Sequence, residues 1–133
     1  MELINNEYIL KEKSFLVSET DEKGIIRFAN DEFCHFAGYN LNELIGQPHS
    51  IVRDPDMPKA AFKDLWETVK KGNRWKGFVK NRTKNGKFYW VFATVFPFTS
   101  NDNQKGYISC RRRASRKEIK KYTAIYKQMK ERE

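Results

Sequence analysis

Residues 75–90 place an amide and an indole, those of Asn81 and Trp75, on one face of a predicted β-strand. The opposite face of that strand carries three cations, Lys76, Lys80 and Arg82. Strand side chains alternate and flexible cations belong in water, so the Asn81 face should point into the domain. A buried amide needs hydrogen-bond partners. Protein groups and a bound polar ligand would both supply them, and the strand pattern leaves the two alternatives open.

Other reactive side chains lack the spacing that catalysis or metal binding requires. Cys34 and Cys110 do not have metal-site spacing, and two thiols do not make a disulfide framework. No nucleophile, base and orienting group stand together at motif spacing. We therefore expect a protein that is not an enzyme, holds no metal and works in a reducing, cytoplasmic setting.

The turn at Asn85-Gly86 decides which residues join the Asn81 face, because two alternating segments flank this strong hairpin signal. A two-residue loop places Asn81 opposite Trp90. A three-residue loop of residues 85–87 places it opposite Val91, with Gly86 in a left-handed bulge position, and this is the loop that we predict. The inner face of the second strand is then Tyr89, Val91, Ala93 and Val95.

The outer face of the same strand is aromatic, which calls for a cover. It consists of Phe88, Trp90, Phe92, Phe96 and Phe98. A terminal helix or a second subunit would supply the cover.

The composition fits one domain with its own core, since the chain has 133 residues of which 39% are hydrophobic. No apolar run is long enough to span a bilayer, and no secretory signal is visible. The formal net charge is +9, with much of the excess after Cys110. An anionic surface would attract such a chain, but these cations also solvate a helix, and without a recognised motif we predict no nucleic-acid binding.

The order of predicted elements indicates an α+β fold. A helical or irregular cap precedes two strands, at residues 14–20 and 25–28, and two short helices follow, the first capped by Asn30. A proline-rich loop leads to a longer helix, then to the hairpin and a last strand at residues 107–113. Ser115 opens a final helix with an apolar stripe. That helix either docks on its own domain or serves as a dimerising or output helix.

This order and several motifs resemble a PAS domain. The general PAS blocks are DEKGIIRFAN at 21–30, GY at 38–39, ELIG at 43–46 and RTKNG at 82–86. Within PAS domains the chain is similar to the sensory domain of the bacterial aerotaxis (energy taxis) receptor family. The blocks shared with that family are GQPH at 46–49, VR at 52–53, PDMPKAAF at 55–62, KKG at 70–72, VKNR at 79–82 and KNG at 84–86. The resemblance covers about residues 15–125.

The resemblance implies a PAS fold, with a five-stranded antiparallel sheet, short helices on one face and terminal helices. It divides the chain into an N-terminal cap (residues 1–14), a PAS sensor domain (15–114) and a C-terminal output or linker helix (115–133). It also implies non-covalently bound FAD in a cleft between the helical middle and the sheet.

The same resemblance implies a set of cofactor-binding residues. Asn81 is the natural partner of the flavin pyrimidine edge, and Trp75 or Trp66 would cover the ring. Arg53 stands where the family uses an arginine for the diphosphate. The remaining positions implied are Asn30, His49, Ser109 and Arg111. Several of these residues also have an ordinary structural explanation. Trp66 would belong to the core, His49 would cap a loop, Arg53 would pair with Asp54 or Asp56, and Arg111 would be part of the basic run.

The function implied is a redox or oxygen sensor for aerotaxis or energy taxis. Its partner would be a separate chemotaxis transducer or a second copy in a homodimer, and the chain would be a fragment or a stand-alone sensor. Asp54 stands where the receptor can carry a histidine, and this departure concerns the phosphate contacts. No cysteine lies in residues 46–56, so covalent-adduct photochemistry is not expected. Two alternatives are a ligand-free interaction module and a haem-binding PAS domain with His35 or His49 as axial ligand.

Overall fold

The computed structural model describes residues 2–133, apart from the side chain of Glu2. Its framework is one sheet of seven strands. In chain order these are β1 (Glu2–Ile4), β2 (Glu7–Ile9), β3 (Phe15–Asp21), β4 (Ile26–Ala29), β5 (Trp75–Arg82), β6 (Phe88–Thr99) and β7 (Lys105–Arg113). The order across the sheet is β1-β2-β6-β7-β3-β4, and β5 pairs with β6.

Strands β3 to β7 form the predicted five-stranded antiparallel sheet. The N-terminal segment differs from the predicted helical or irregular cap, because it folds into the hairpin β1-β2. Asn5 and Asn6 both have positive φ, 51° and 70°, as a two-residue hairpin turn of type I′ requires. This hairpin joins β6 through a parallel pairing of Glu7 with Phe88.

Four α-helices and one 3-10 helix complete the fold. They are α1 (Asp31–Ala37), α2 (Leu41–Leu44), the 3-10 helix (His49–Val52), α3 (Lys59–Lys70) and α4 (Arg116–Glu131). The predicted N-cap at Asn30 is confirmed, and Asn40 forms a capping box with Glu43. Gly38 ends α1 in the left-handed conformation, with φ of 79°.

The hairpin register is the main difference from the sequence-based expectation. Asn81 pairs with Tyr89, so the predicted register opposite Val91 is wrong, as is the alternative opposite Trp90. The loop has three residues and Gly86 has φ of 82°, but it closes one residue earlier, with the Thr83 N–H donating to the Lys87 carbonyl at 2.9 Å. The Thr83 hydroxyl fixes this closure, since it accepts from the Lys87 N–H at 2.9 Å and donates to Asn85 at 2.5 Å.

A register shift of two residues keeps every side chain on its predicted face. The inner-face residues Tyr89, Val91, Ala93 and Val95 are all buried, as predicted. They belong to a core that also contains Phe33, Phe36, Leu44 and Val69 from the helical side.

Helix α4 docks on the outer face of its own sheet. Tyr122 packs on Phe78 with ring centroids 4.5 Å apart, and Tyr126 stacks on Trp90 at 6.1 Å. The Tyr126 hydroxyl also donates to the Phe78 carbonyl at 2.6 Å. The cover is partial, because Phe15 and Phe28 on the β3-β4 side remain 48% and 47% exposed.

Both ends of α4 are tied to other parts of the fold. At its start, Arg116 makes a two-pronged ion pair with Glu7 of β2, at 2.8 and 2.9 Å. At its far end, Lys130 donates to the Pro55 carbonyl, and the Glu133 carboxylate accepts from the Ala60 N–H at 3.2 Å. No helix in residues 2–133 is long and apolar enough to cross a membrane.

Candidate functional site

An open cleft of about 460 Å³ lies between the inner sheet face and the helical segment. Cofactor pockets typically enclose roughly 300–1,000 Å³. Six of the eight predicted site residues line this cleft: His49, Arg53, Trp66, Asn81, Ser109 and Arg111. They come from the 3-10 helix and its C-cap, from α3, and from β5 and β7, so the fold brings together positions that are far apart in the chain.

Asn81 and Arg111 form the polar back of the cleft. Asn81 is 1% exposed. The oxygen and nitrogen of its amide are assigned from the hydrogen bonds that each atom makes. Its oxygen accepts from Arg111 Nη1 at 2.7 Å and its nitrogen donates to the Val52 carbonyl at 3.3 Å. Arg111 Nε donates to Ser109 Oγ at 2.8 Å. Protein groups therefore already satisfy part of the hydrogen-bonding capacity of Asn81.

Arg111 is a buried cation without a carboxylate partner in the described chain. Its side chain is 5% exposed, and the ion pairs among residues 2–133 do not include it. Burial lowers the pKa of Arg111 to about 10, which still leaves it charged at neutral pH. A buried charge is normally paired or hydrogen-bonded. The back of the cleft therefore favours a ligand group that accepts hydrogen bonds or carries negative charge.

Two buried hydroxyls near the cleft have no hydrogen-bond partner within residues 2–133. Burial raises the pKa of Tyr89 to about 12, while the Arg111 charge and the neighbouring Asn81 side chain oppose that shift. Thr20 is 6% exposed, and it lines the cleft on β3. Unpartnered buried polar groups are uncommon in folded proteins and are often completed by a ligand or by water.

His49 is a neutral member of the cleft wall. Its Nε2 lies 2.9 Å from Ser18 Oγ, and the Phe33 ring meets it edge-on at 5.6 Å. Burial, aided by the nearby Arg111 charge, holds the pKa of His49 well below its usual 6.5. His49 can therefore exchange hydrogen bonds in the cleft at neutral pH but supplies no positive charge there.

The mouth of the cleft carries cations and aromatic rings. The Arg53 guanidinium lies 3.6 Å from the Phe62 ring centroid, and burial lowers the pKa of Arg53. The alternative pairing of Arg53 with Asp54 or Asp56 is not observed, because these carboxylates lie 3.8 and 2.7 Å from the Lys80 ammonium. Trp66 meets Tyr107 edge-on at 5.4 Å. Arg53 and Trp66 are therefore both available to a ligand.

Asn30 and Trp75 lie outside the group of cleft-lining residues. The Asn30 amide is committed to backbone, since it accepts from the N–H groups of Val17 and Phe33 and donates to the Phe15 carbonyl. The Trp75 indole N–H donates to Asp64 of α3 at 2.9 Å. Its ring also covers Gly77, where a Cβ would come within 2.5 Å of the indole.

The sequence did not identify several cleft residues, among them Thr20, Lys23, Lys70 and Tyr107. Lys70 follows Trp66 by four residues in α3, and that spacing places the two on one helix face. Thr20 and Tyr107 are register partners of β3 and β7, which a correct strand pairing would have found. Lys23 lies in the β3-β4 turn, where no periodic pattern singles it out.

The described residues hold no group of three or more His, Cys, Asp and Glu side chains that could bind a metal ion. Of the two histidines considered as haem ligands, only His49 lines the cleft, and its Nε2 already contacts Ser18. His35 is an exposed residue of α1.

Comparison with known proteins extends this description. Residues 26–111 match the family model described as PAS fold. The chain is 50% identical over 118 residues to the aerotaxis receptor of Escherichia coli strain K12, which covers 89% of this chain and 23% of the receptor. It is 27% identical over 89 residues to the nitrogen fixation regulatory protein of Klebsiella pneumoniae, covering 67% of this chain and 18% of that protein.

Solved structures agree with the fold. A light-oxygen-voltage domain studied with a flavin analogue superposes with a TM-score of 0.68 at 17% identity, covering 86% of each chain. The dark structure of the aureochrome 1 light-oxygen-voltage domain gives 0.66 at 16% identity, covering 90% of this chain and 85% of that one. The chain spans less than a quarter of the length of either curated relative. On the family match and on its identity to the aerotaxis receptor, the chain belongs to the PAS fold family.

Proposed function

We propose that this chain is an FAD-binding redox or oxygen sensor module for aerotaxis or energy taxis. The observation that carries the proposal is the Arg111–Asn81 pair, a buried and unpaired cation bonded to a buried amide at the back of an open cleft. The 50% identity to the aerotaxis receptor supports the same assignment. The domain division into residues 1–14, 15–114 and 115–133 is part of this proposal.

The side chains of the cleft fit a flavin. A flavin pyrimidine edge carries both donors and acceptors, which suits the amide of Asn81 and the several N–H donors of Arg111. Trp66 offers an indole to the ring system, and Arg53 offers a guanidinium to the diphosphate at the mouth. His49 and Ser109 add to the polar lining, whereas Asn30 and Trp75 are hydrogen-bonded to protein groups and are not among the lining residues.

A bound flavin would supply reversible uptake of electrons and protons. The role of the chain is to favour one redox state through the charge of Arg111, which stabilises negative charge in its surroundings. When the hydrogen-bond preference of the flavin edge changes between donor and acceptor, Asn81 can present either the donor or the acceptor end of its amide. Different affinity for the two redox states then shifts the population of protein conformations.

The route from the cleft to the output helix is short. Arg111 lies in β7, and three residues separate it from Ser115, which caps α4 through its bond with the Glu118 N–H. A change in the Arg111 contacts therefore acts on a strand that leads directly into α4. We propose α4 as the output element, with a chemotaxis transducer or a second copy of the chain as its partner and the cytoplasm as its location.

An absorption spectrum of the purified protein tests this function. A flavin spectrum, and recovery of that spectrum when FAD is added to protein stripped of cofactor, is the expected result. Colourless protein that takes up no FAD on reconstitution overturns the proposal. A Soret band would instead indicate haem.

A ligand-free interaction module is the second candidate, and one observation favours it: Asn81 has protein partners in Arg111 and Val52. The buried Arg111 charge at the back of the open cleft argues against it, because a buried cation in a ligand-free core is expected to have a carboxylate partner. Absence of flavin together with a stable dimer would select this candidate.

A further inference from the structure

The cleft has a second polar region at the end remote from Asn81. Along β7 the inward residues that line the cleft are Arg111, Ser109 and Tyr107. Arg111 and Tyr107 are four residues apart, which is about 13 Å along an extended strand. The cleft is thus elongated, and its two ends offer different chemistry.

The cations at the far end lie beside the Trp66 indole. Lys70 places its ammonium 6.0 Å from the centroid of that ring. On the other side, the β3-β4 turn packs so closely on the indole that a Cβ at Gly24 would come within 3.2 Å of it. Lys23 precedes that glycine and also lines the cleft. The indole therefore has Lys70 beside it on its own helix, and the turn that carries Lys23 packs against it.

These cations have no protein counter-charge in contact with them. Neither Lys23 nor Lys70 forms an ion pair within the described chain, and neither does Arg53. Glu22 is the carboxylate that shares the lining, so this end of the cleft carries two lysines against one anion, and Arg53 lies farther along the lining, beside Asn81. Thr20 lines the same region, and its buried hydroxyl has no hydrogen-bond partner among residues 2–133. Unpaired cations with an unsatisfied hydroxyl form a site for an oxyanion.

We infer that Thr20, Lys23 and Lys70 form a phosphate-binding rim that selects 5′-phosphorylated flavins over the unphosphorylated flavin. This inference rests on the proposed flavin function and adds the residues that set its ligand specificity. The ring of the ligand occupies the Asn81–Arg111 end, and its anionic tail passes Trp66 to reach the two lysines. Arg53 approaches the tail from the 3-10 helix side.

The test compares FMN and riboflavin, which share a ring and a ribityl chain and differ by one phosphate. We expect the parent protein to bind FMN about tenfold more tightly than riboflavin, since exposed ion pairs contribute roughly 0.2–1 kcal/mol each. Added salt should weaken FMN binding and leave riboflavin binding nearly unchanged. In Lys23→Ala/Lys70→Ala, the FMN preference should fall to about twofold while the riboflavin affinity stays at the parent value.

The matched control is Lys71→Ala/Lys76→Ala, which removes the same charge from exposed positions that do not line the cleft. This control should keep the full preference for FMN, and a preference lost equally in both double variants would overturn the inference. Equal binding of FMN and riboflavin by the parent would also overturn it while leaving the flavin function intact. Failure of FAD, FMN and riboflavin alike to bind a folded parent would overturn the flavin function and the rim together.

Discussion

The Asn81 amide oxygen lies 2.7 Å from Arg111 Nη1, and this bond joins the central hairpin to the last strand at the back of the cleft. Asn81 also pairs in an isolated bridge with Arg53, at the mouth. Asn81 therefore contacts Arg111 through its side chain and pairs with Arg53 through its backbone, and these are the two cationic residues through which the cleft would hold a negatively charged ligand.

Replacing Asn81 should weaken FAD binding without unfolding the domain. Asn81→Ala removes a buried hydrogen-bond partner, which costs about 1–3 kcal/mol and corresponds to roughly tenfold to a hundredfold weaker binding. Asn81→Asp should also weaken binding, but its carboxylate would pair with Arg111 and raise the thermal stability of the cofactor-free protein. Titration with FAD and circular dichroism measure both effects. Parent-like FAD affinity in Asn81→Ala would show that the amide serves the protein alone.

The two inward-facing tryptophans should respond differently to substitution. Trp66→Phe should weaken FAD binding about fivefold, because Trp66 lines the cleft and aromatic contacts contribute about 0.5–1.5 kcal/mol. The sequence predicted direct ring contact for Trp75, so that its loss would reduce flavin retention. In the structure, the indole N–H of Trp75 instead donates a hydrogen bond to Asp64. We expect Trp75→Phe to lower the free energy of unfolding by about 1 kcal/mol and to change FAD affinity less than Trp66→Phe. The reverse order of FAD affinities would place Trp75 at the ligand.

His49 should make the stability of the protein depend on pH just below neutrality. Its pKa in the folded state is well below the ordinary value of 6.5, so the unfolded state binds more protons as the pH falls through 6.5. The stability contributed by neutral His49 is complete above pH 6.5 and declines toward the lower pKa of the folded protein. Thermal melts from pH 7.5 to pH 5 should show the decline.

Two histidine variants distinguish the titration of His49 from the titration of carboxylates. His49→Gln keeps a partner for Ser18 and should flatten the pH dependence. His35→Gln, at the exposed histidine of α1, should leave it as in the parent. Identical pH profiles for the parent and His49→Gln would show that His49 does not titrate differently on unfolding.

Removing residues 1–13 should alter the assembly or solubility of the protein. This segment supplies Leu10 to the core and Glu7 to the ion pair with Arg116, and its hairpin lies beside Trp90. Its loss exposes apolar surface on a sheet that already presents Phe15 and Phe28. Light scattering after size exclusion measures the change. A truncated protein with the same mass and solubility as the parent would contradict the prediction, and Leu3→Ser controls for altered surface alone.

Alternation and capping explain why much of the site could be predicted from sequence. A strand with three cations on one face must bury the other, so Asn81 was placed inward without knowledge of its partners. The same alternation separates Arg111 from the arginines that follow it. In β7, Arg111 pairs with the inward residue Ala93, whereas Arg112 lies on the outer face of the sheet. Asn30 and Ser115 were found because side-chain oxygens satisfy the free N–H groups of a helix start.

The parts that could not be predicted depend on contacts between distant elements. Facing inward does not specify which cavity a side chain lines, and Trp75 is hydrogen-bonded to Asp64 on α3 and is not among the residues that line the cleft. The loop register depended on the Thr83 hydroxyl, which a turn rule based on Asn85-Gly86 does not include. Lys23 reaches the cleft only because its turn packs on Trp66.

Because α4 is attached at both ends, two separate paths of contacts connect it to the cleft. One path leads from Arg111 along β7 into the first turn of α4. The other returns from Lys130 and Glu133 to Pro55 and Ala60, next to the segment that carries Arg53. Both walls of the cleft are therefore connected to α4, one at each end of the helix. Any domain joined after Glu133 by a continuous helix would take an orientation about the helix axis that depends on the linker length and repeats every 3.6 residues.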